Sequence, residues 1–546
     1  MIWRAGGNIE TTSDAPGNLV TFSKGTAAAG LMAWQANGDI KTDTKIKFEN
    51  TVAANTKNME WLACGNITTH FVNPGTDAAP NYDVVFENAS QGNMIWHANT
   101  GNITTNSMTT FKNTNTTGSD MGWYAGGDIT THYGKDAANK TMGEGIVFEQ
   151  VGKGKTSWQA GNDIKTYNPV YFNWSAAADD ATPITWLAKR HIIIGGDVVG
   201  TNDGYSLTVP EQAAAKFETV KNNDILLKSH MGMIQTNSKV DFLRNNLGAA
   251  VTKLWAGCNT FLQTNNIDIE NEFNYKETTQ ADKAFVHLYA ENDIKSNEDA
   301  AVSCDSRPAP ILFDISGATG SMTRTLWEAE RNINTRGRVD FNYKGAAVAK
   351  SLVWLSRAGY IQTERPVTVA YESDDTVSFR AEDWRHDPAS HTKVITNAND
   401  PLTGGRRGNI HFFDSINIKR YNTGVGVTEI KAENHIWTAM VDYWENSGAT
   451  ANKMDIISHK GDIYLGYNNG ITNNYSHPFY IANQQNPGWR VTQEAPSAGC
   501  NKPTAPGVSY DKNIFKYYVP ATNTSGHLWI KAGWEEKTDR NSVPDK

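Results

Sequence analysis

Cysteine is nearly absent from this chain of 546 residues: there are four, Cys64, Cys258, Cys304 and Cys500. That is too few to staple a protein of this size, so a disulfide scaffold is excluded. No two of them form a Cys-x-x-Cys pair, which removes the commonest zinc arrangement. Unpaired thiols are expected, with Cys304 and Cys500 in loops. Leucine is scarce for the length, and no apolar stretch approaches the roughly 20 residues needed to span a bilayer as a helix. No basic-then-apolar leader opens the chain. Lys and Arg are nowhere concentrated; the formal net charge is −8 and is spread along the sequence, which argues against nucleic acid as a partner. P-loop, Gly-x-Ser-x-Gly, His-Glu-x-x-His and Rossmann signatures are all missing. Helical periodicity is missing too, apart from weak propensity over Ala213 to Val220, where Phe217 also fits a strand slot.

What is present is repetition. Trp3-Arg-Ala-Gly-Gly-Asn-Ile9 recurs as Trp34-Gln-Ala-Asn-Gly-Asp-Ile40 and Trp61-Leu-Ala-Cys-Gly-Asn-Ile67. Trp96, Trp123 and Trp158 open further copies, giving the pattern Trp-x-Ala-turn-(Asn/Asp)-Ile-x-Thr. Weaker copies start at Trp186, Leu227, Trp255, Leu288, Trp327, Trp354, Ile430 and Ile457, with a last one around Trp529. A second alternating stretch follows most copies, as in Ile46-Lys-Phe48-Glu-Asn50 and Val84-Val-Phe86-Glu-Asn88. Each repeat therefore reads as three short strands separated by Gly, Asn and Asp, the residues of tight turns.

The first seven Trp positions, 3, 34, 61, 96, 123, 158 and 186, differ by 31, 27, 35, 27, 35 and 28. A nearly constant short step alternates with a longer one, so the short step is a minimal coil and the long one the same coil with a loop, as at Asn73 to Asn81 or Gly134 to Gly145. A three-strand coil of this size cannot bury its own apolar face. Stacking coil on coil at about 4.8 Å buries it and pairs every inner strand. The expected fold is an all-β, single long parallel β-helix (β-solenoid) of about 27–35 residues per coil, with Trp over Trp, Ala over Ala and Ile over Ile, and Asn or Asp side chains hydrogen-bonding along the stack. A propeller is the rival, since Asn37-Gly38 is also a hairpin signal; four strands do not fit 27 residues, and blades need about 40. Regular repeats are expected over residues 1–376, a less regular continuation with loop insertions over 377–474, and irregular, loop-rich coils over 475–546. Because the sequence opens inside a repeat, a fragment of a longer protein is expected.

The Gly-Asn-Ile-Thr and Gly-Asp-Ile-Thr turns, at Gly65 to Thr68 and Gly127 to Thr130, resemble those of filamentous-haemagglutinin-like and other repetitive bacterial surface adhesins. The resemblance covers the repeat register along most of the chain; the Trp and the alternating coil length depart from the usual adhesin coil. It implies an extracellular bacterial protein exported across the envelope, serving attachment or forming a stalk. Glycans, a host or neighbouring cell surface, other segments of the same long protein or further copies of itself are the expected partners.

Three features carry candidate chemistry. Glu382-Asp383-Trp384-Arg385-His386-Asp387 gathers acid, base and aromatic groups where the repeat degrades, so a loop-borne site could be grafted there; Asp383, Trp384 and His386 are the ligand-binding candidates. Parallel β-helices also carry lyases and glycosidases, which need paired carboxylates or a calcium site on one face. The turn aspartates Asp39, Asp128, Asp163, Asp293 and Asp462 could in principle line up for calcium, but they alternate with Asn, which favours a turn role and no metal or other cofactor. The regular Trp column (Trp3, Trp34, Trp61, Trp96, Trp123, Trp158, Trp186, Trp255, Trp327, Trp354) is expected to be core. Trp174, Trp384, Trp444, Trp489 and Trp534 fall outside it and are the better candidates for exposed ligand contacts, Trp384 and Trp444 foremost. Arg406-Arg407 reads as a surface loop. A non-enzymatic adhesin or stalk is the leading expectation, with the loops of the long coils as its binding surface. A polysaccharide lyase or hydrolase, or a self-stacking filament unit, is the alternative.

Overall fold

The structure, a computed structural model, describes residues 1–12, 18–25, 30–70, 83–132, 145–175, 183–195, 215–220, 223–245, 250–258, 262–278, 284–296, 311–316, 323–344, 350–372, 376–386, 393–395, 407–421, 426–445, 452–461, 463–465, 492–493, 512–513, 515–518 and 527–531. It divides into two compact units, Met1–Ala284 and Phe285–Lys546. Both are built of parallel β-helical coils, and no helix occurs among the described residues.

In the first unit each coil contributes three strands, as in Met94–Ala98, Ile103–Thr105 and Thr109–Asn113. Every strand pairs in parallel with the same strand of the neighbouring coil. Trp3, Trp34, Trp61, Trp96, Trp123, Trp158, Trp186, Leu227 and Leu254 stand in one register column. From Trp3 to Trp186 the rings stack with centroids 4.6 to 5.3 Å apart and planes within 7°. Beside them runs a second stack, from Phe22 through Phe48, Phe86, Phe111, Phe148, Phe172 and Phe217 to Phe242, with neighbouring centroids 4.8 to 5.5 Å apart. The two stacks meet edge to face, as for Trp123 and Phe148 at 5.4 Å and 70°. Stacked and edge-to-face pairs are the favoured aromatic geometries, each contributing about 0.5–1.5 kcal/mol beyond burial. An Ile column and a Thr column on the second strands complete the interior; Ile67, Ile103, Ile129, Thr69, Thr105 and Thr131 are all fully buried.

The second unit follows the same plan with a less uniform column: Leu288, Trp327, Trp354, Phe379, Ile430, Ile456 and Ile530 occupy successive coils. The first strands Thr376–Ala381 and Val427–Ala432 therefore keep the register where the sequence pattern fades, because Phe379 and Ile430 fill the place of Trp. Here the second and third strands merge into single long strands, Asn409–Arg420 and Ile436–Glu445, with an irregularity between Phe412 and Ser415. The described exceptions to parallel pairing are two short antiparallel pairs, Trp384–His386 with Lys393–Ile395 and Thr492–Gln493 with Lys512–Asn513.

Several expectations are corrected. Trp255 is not core: Leu254 takes the column and Trp255 faces outward, paired with Lys228. The small residue two places after the column residue fixes the register. In Trp255-Ala256 that small residue follows at once, so the strand sets one position earlier. Ile457-Ser458 behaves the same way, with Ile456 inside, and Ile530 rather than Trp529 sits opposite Ile456. Trp3 is in the column but 43% exposed, because only one face of its ring is covered, by Trp34. Trp174 is buried, not exposed: it ends a third strand at the place held elsewhere by Asn50, Asn88, Asn113 and Gln150, an inward column that closes the third corner. Arg407 is likewise buried. Trp489, Trp534, Arg406, Asp387, Asp462, Cys304 and Cys500, and the loops at 73–81 and 134–144, lie outside the described residues; Cys64 and Cys258 are free and exposed.

Candidate functional site

The first corner of each coil, between the first and second strands, is built by the repeated Asn or Asp. Each of these side chains accepts a hydrogen bond from the backbone N–H one coil later. The bonds run from Asp39 N–H to Asn8 Oδ1 (2.8 Å), Asn66 to Asp39 (2.7 Å), Asn102 to Asn66 (2.8 Å), Asp128 to Asn102 (2.7 Å), Asp163 to Asp128 (3.0 Å) and His191 to Asp163 (3.0 Å). Asn332 to Asp293 and Tyr360 to Asn332 repeat the arrangement in the second unit, at 3.0 and 3.1 Å. The turn aspartates thus spend an oxygen on the ladder, and no group of His, Cys, Asp or Glu able to hold a metal ion occurs among the described residues. A matching ladder precedes the first strands, through Asn58, Asn93 and Asp120.

In the second unit this corner differs. The Phe379 coil carries, right after its first strand, the antiparallel pair that contains Trp384 and His386; their side chains lie outside the described residues. Asp383 at its base is half-buried and 4.0 Å from Lys460 Nζ, which also contacts Glu433 at 2.8 Å. Trp444 lies one residue before the end of the long strand Ile436–Glu445, half-buried against Tyr421 at 5.2 Å, so it stands at a different corner of the coil from Asp383. On the second strands beside the first corner, His411 and Trp437 pack at 4.2 Å and His435 lies 5.0 Å from Trp437.

The outward side of the first strands here holds an ion network that reading the sequence alone misses. Glu328 receives Arg357 Nε at 2.8 Å, a second contact from Arg357 Nη2, and His287 Nε2 at 3.1 Å. Glu330, two residues on and therefore on the same face, takes Arg357 Nε at 3.4 Å and the Tyr289 hydroxyl at 3.4 Å. In the following coils Arg380 and Lys431 flank Glu429, at 2.6 and 2.5 Å. Burial raises the Glu328 carboxyl, but the hydrogen bonds from His287 and Arg357 outweigh it and hold the pKa below the usual value. Burial dominates at Glu330: opposed by Arg357 but reinforced by Glu328 and Glu291, it pushes the pKa up to about 7. Burial also raises Tyr289, with Glu330 and Glu291 adding to it. The only sequence signal was the alternation Glu328-Ala-Glu330, which any outward strand face could show.

An ionised and a protonated carboxyl side by side is the pairing that acid–base hydrolysis uses. Glu328 and Glu330 are, however, 9% and 5% exposed, and Glu328 is already held by His287 and Arg357. Their pairing has a measurable consequence for stability. Between the ordinary carboxyl value of 4.5 and about 7, folded Glu330 keeps a proton that the unfolded chain has released. Stability should therefore rise as pH falls from about 7.5 to about 5, by up to about 3 kcal/mol. Glu328 and Glu429, whose pKa values are depressed, lose their contribution only at lower pH. Urea unfolding at the two pH values should show this gain, and Glu330→Gln should flatten it. An unchanged slope in the variant would sink the assignment.

No protein-family model matches the chain, and neither a curated protein nor a solved structure matches it.

Proposed function

We propose that this chain is a non-enzymatic extracellular repeat protein, an adhesin or surface-stalk segment that presents its binding groups on a rigid β-helical frame. One observation carries this reading. The interior columns continue from coil to coil while extra chain is admitted at set places, as between Ile67–Thr69 and Val84–Asn88 or between Ile129–Thr131 and Ile146–Gln150. A frame that holds register while its connections vary in length suits display better than catalysis, which needs one unique constellation. The resemblance of the Gly-Asn-Ile-Thr turns to bacterial surface adhesins points the same way. Glycans or another cell's surface are the proposed partners.

A second reading, a polysaccharide lyase or hydrolase, is favoured by the inserted antiparallel pair after Asp383 and by the unlike carboxyls of Glu328 and Glu330. Incubating the purified chain with acidic and neutral polysaccharides separates the two. The display reading expects retention without shorter fragments. Fragment release that disappears in Asp383→Asn or Glu330→Gln would replace it with the enzymatic one.

A further inference from the structure

Over four coils of the first unit the outward residues of the first and third strands differ in charge. On the third strands Lys and Glu pair along and across coils: Lys47 with Glu49 and Glu87 at 3.2 and 2.8 Å, Lys112 with Glu149 at 3.1 Å, Lys216 with Glu218 at 2.8 Å. On the first strands of the Trp96, Trp123, Trp158 and Trp186 coils the outward residues are Ile95 and His97, Gly122 and Tyr124, Ser157 and Gln159, and Thr185 and Leu187. None carries a fixed charge; Asp120 and Lys155 stand at the edge, before the strands begin, and Glu60 and Lys228 bound the uncharged stretch on the coils before and after it.

Tyr124 is built into this face. A Cβ placed on Gly122 would fall 2.5 Å from Tyr124 Cε2 and 2.7 Å from its hydroxyl, so the ring folds back over the glycine where a side chain would otherwise stand. Ser157, on the next coil, lies 2.7 Å from Thr185 Oγ1, so hydroxyl-bearing side chains stand on three successive coils of this face. His97 meets it edge-on, with centroids 6.2 Å apart, and both His97 and Gln159 are exposed. A flat, immobilised ring flanked by amide, imidazole and hydroxyl groups, with aliphatic shoulders at Ile95 and Leu187, suits a ligand with apolar ring faces and hydroxyl edges. Prior immobilisation reduces the ordering that binding must impose.

We propose that this face binds an extended neutral polysaccharide laid along the coil stack, with Tyr124 as the ring on which a sugar stacks. The inference deepens the display reading and rests on it. It moves the binding surface from the loops to the frame. A neutral chain fits a face without fixed charge, whereas a uronate polymer would find no cation on these eight residues to pair with. Coils repeat at about 4.8 Å, the scale of one sugar residue in an extended chain, so successive coils can meet successive sugars in like fashion.

The test titrates the full chain with β-linked hexasaccharides of glucose, mannose and xylose, with hexagalacturonate as the charged probe. At least one neutral hexasaccharide should bind. Tyr124→Ala and Gly122→Ala should each weaken it about tenfold or more, the loss of one stacking contact. Gly122→Ala should displace the ring with the fold intact, because the clash is with a movable side chain; the near-ultraviolet dichroism of the Trp stack verifies this. Lys47→Ala, on the third face, should bind as the parent does. Neutral binding that is undiminished in both variants, or binding of hexagalacturonate alone, overturns the assignment to this face and leaves the display reading standing. Disulfide-linked dimers formed readily by His97→Cys but not by the parent, whose Cys64 and Cys258 are already exposed, would also overturn it, marking the face as a contact between copies. If no glycan and no cell surface retains the chain, the display reading falls with it.

Discussion

Replacing Trp123 by alanine is expected to destabilise the first unit by about 4 kcal/mol, near the top of the range for a single core truncation. Its ring lies 5.1 Å from Trp96 and 4.7 Å from Trp158, and meets Phe111 and Phe148 edge to face at 5.8 and 5.4 Å. Removing it leaves a void on both sides, because backbone pairing to the neighbouring coils prevents collapse along the stack. Trp255→Ala is the control. That side chain faces outward and is half-buried, so the loss should stay below about 1 kcal/mol. Urea unfolding followed by far-ultraviolet dichroism compares the two. Equal losses would mean that the column is not the source of stability and that Trp255 had been misplaced. Stacked coils need not unfold in one step, so a separate early transition in Trp123→Ala would localise the damage.

The second large effect is expected at Arg420. It is fully buried, its Nε donates to Thr428 Oγ1 at 3.0 Å, its Nη2 to the Val427 carbonyl, and its guanidinium lies 5.0 Å from the Tyr371 ring. The next coil brings Glu445, also fully buried, into register with it, and the Tyr443 hydroxyl donates to that carboxylate at 2.7 Å. The first unit reaches the same solution: Arg244 bonds Thr252 at 2.9 Å, Glu277 follows in register, and the Tyr275 hydroxyl lies 3.3 Å from its carboxylate. Arg420→Ala strands a carboxylate in the interior and should cost about 3–5 kcal/mol, whereas Arg420→Met with Glu445→Leu should come close to the parent. Thermal unfolding of the single and double variants reads this directly. A double variant as unstable as the single one would mean that packing, not charge, holds the corner.

The coil was legible in the sequence because its constraint is local and repeated. Trp, the small residue after it, Asn or Asp, and Ile recur since each must sit over its own kind. The same logic explains the slips. At Trp255 and Ile457 the large residue was followed, when the small one was setting the register. Trp174, Arg244 and Arg420 were not legible as interior, because the third-strand motif ends on Asn in the clear copies and a large or charged residue in that slot looks like a departure from the pattern. The Glu328, Glu330 and Arg357 network was hidden for another reason: Arg357 and His287 come from the coils on either side of the two glutamates and meet them only once the coils stack. Asp383, Trp384 and His386 were singled out by composition, and Trp444 by standing outside the column; the fold puts Trp444 at another corner from the rest.

The Asn and Asp ladder has a direction. In every rung the acceptor belongs to the earlier coil and the donor to the later one. A chain that emerges amino terminus first therefore presents a finished template before the residues that will read it exist. Each arriving coil docks on a surface already set, through neighbours in sequence, with little distant chain to search. If coils are added in the order of synthesis, the growing end, not the completed body, is where such a protein is open to error.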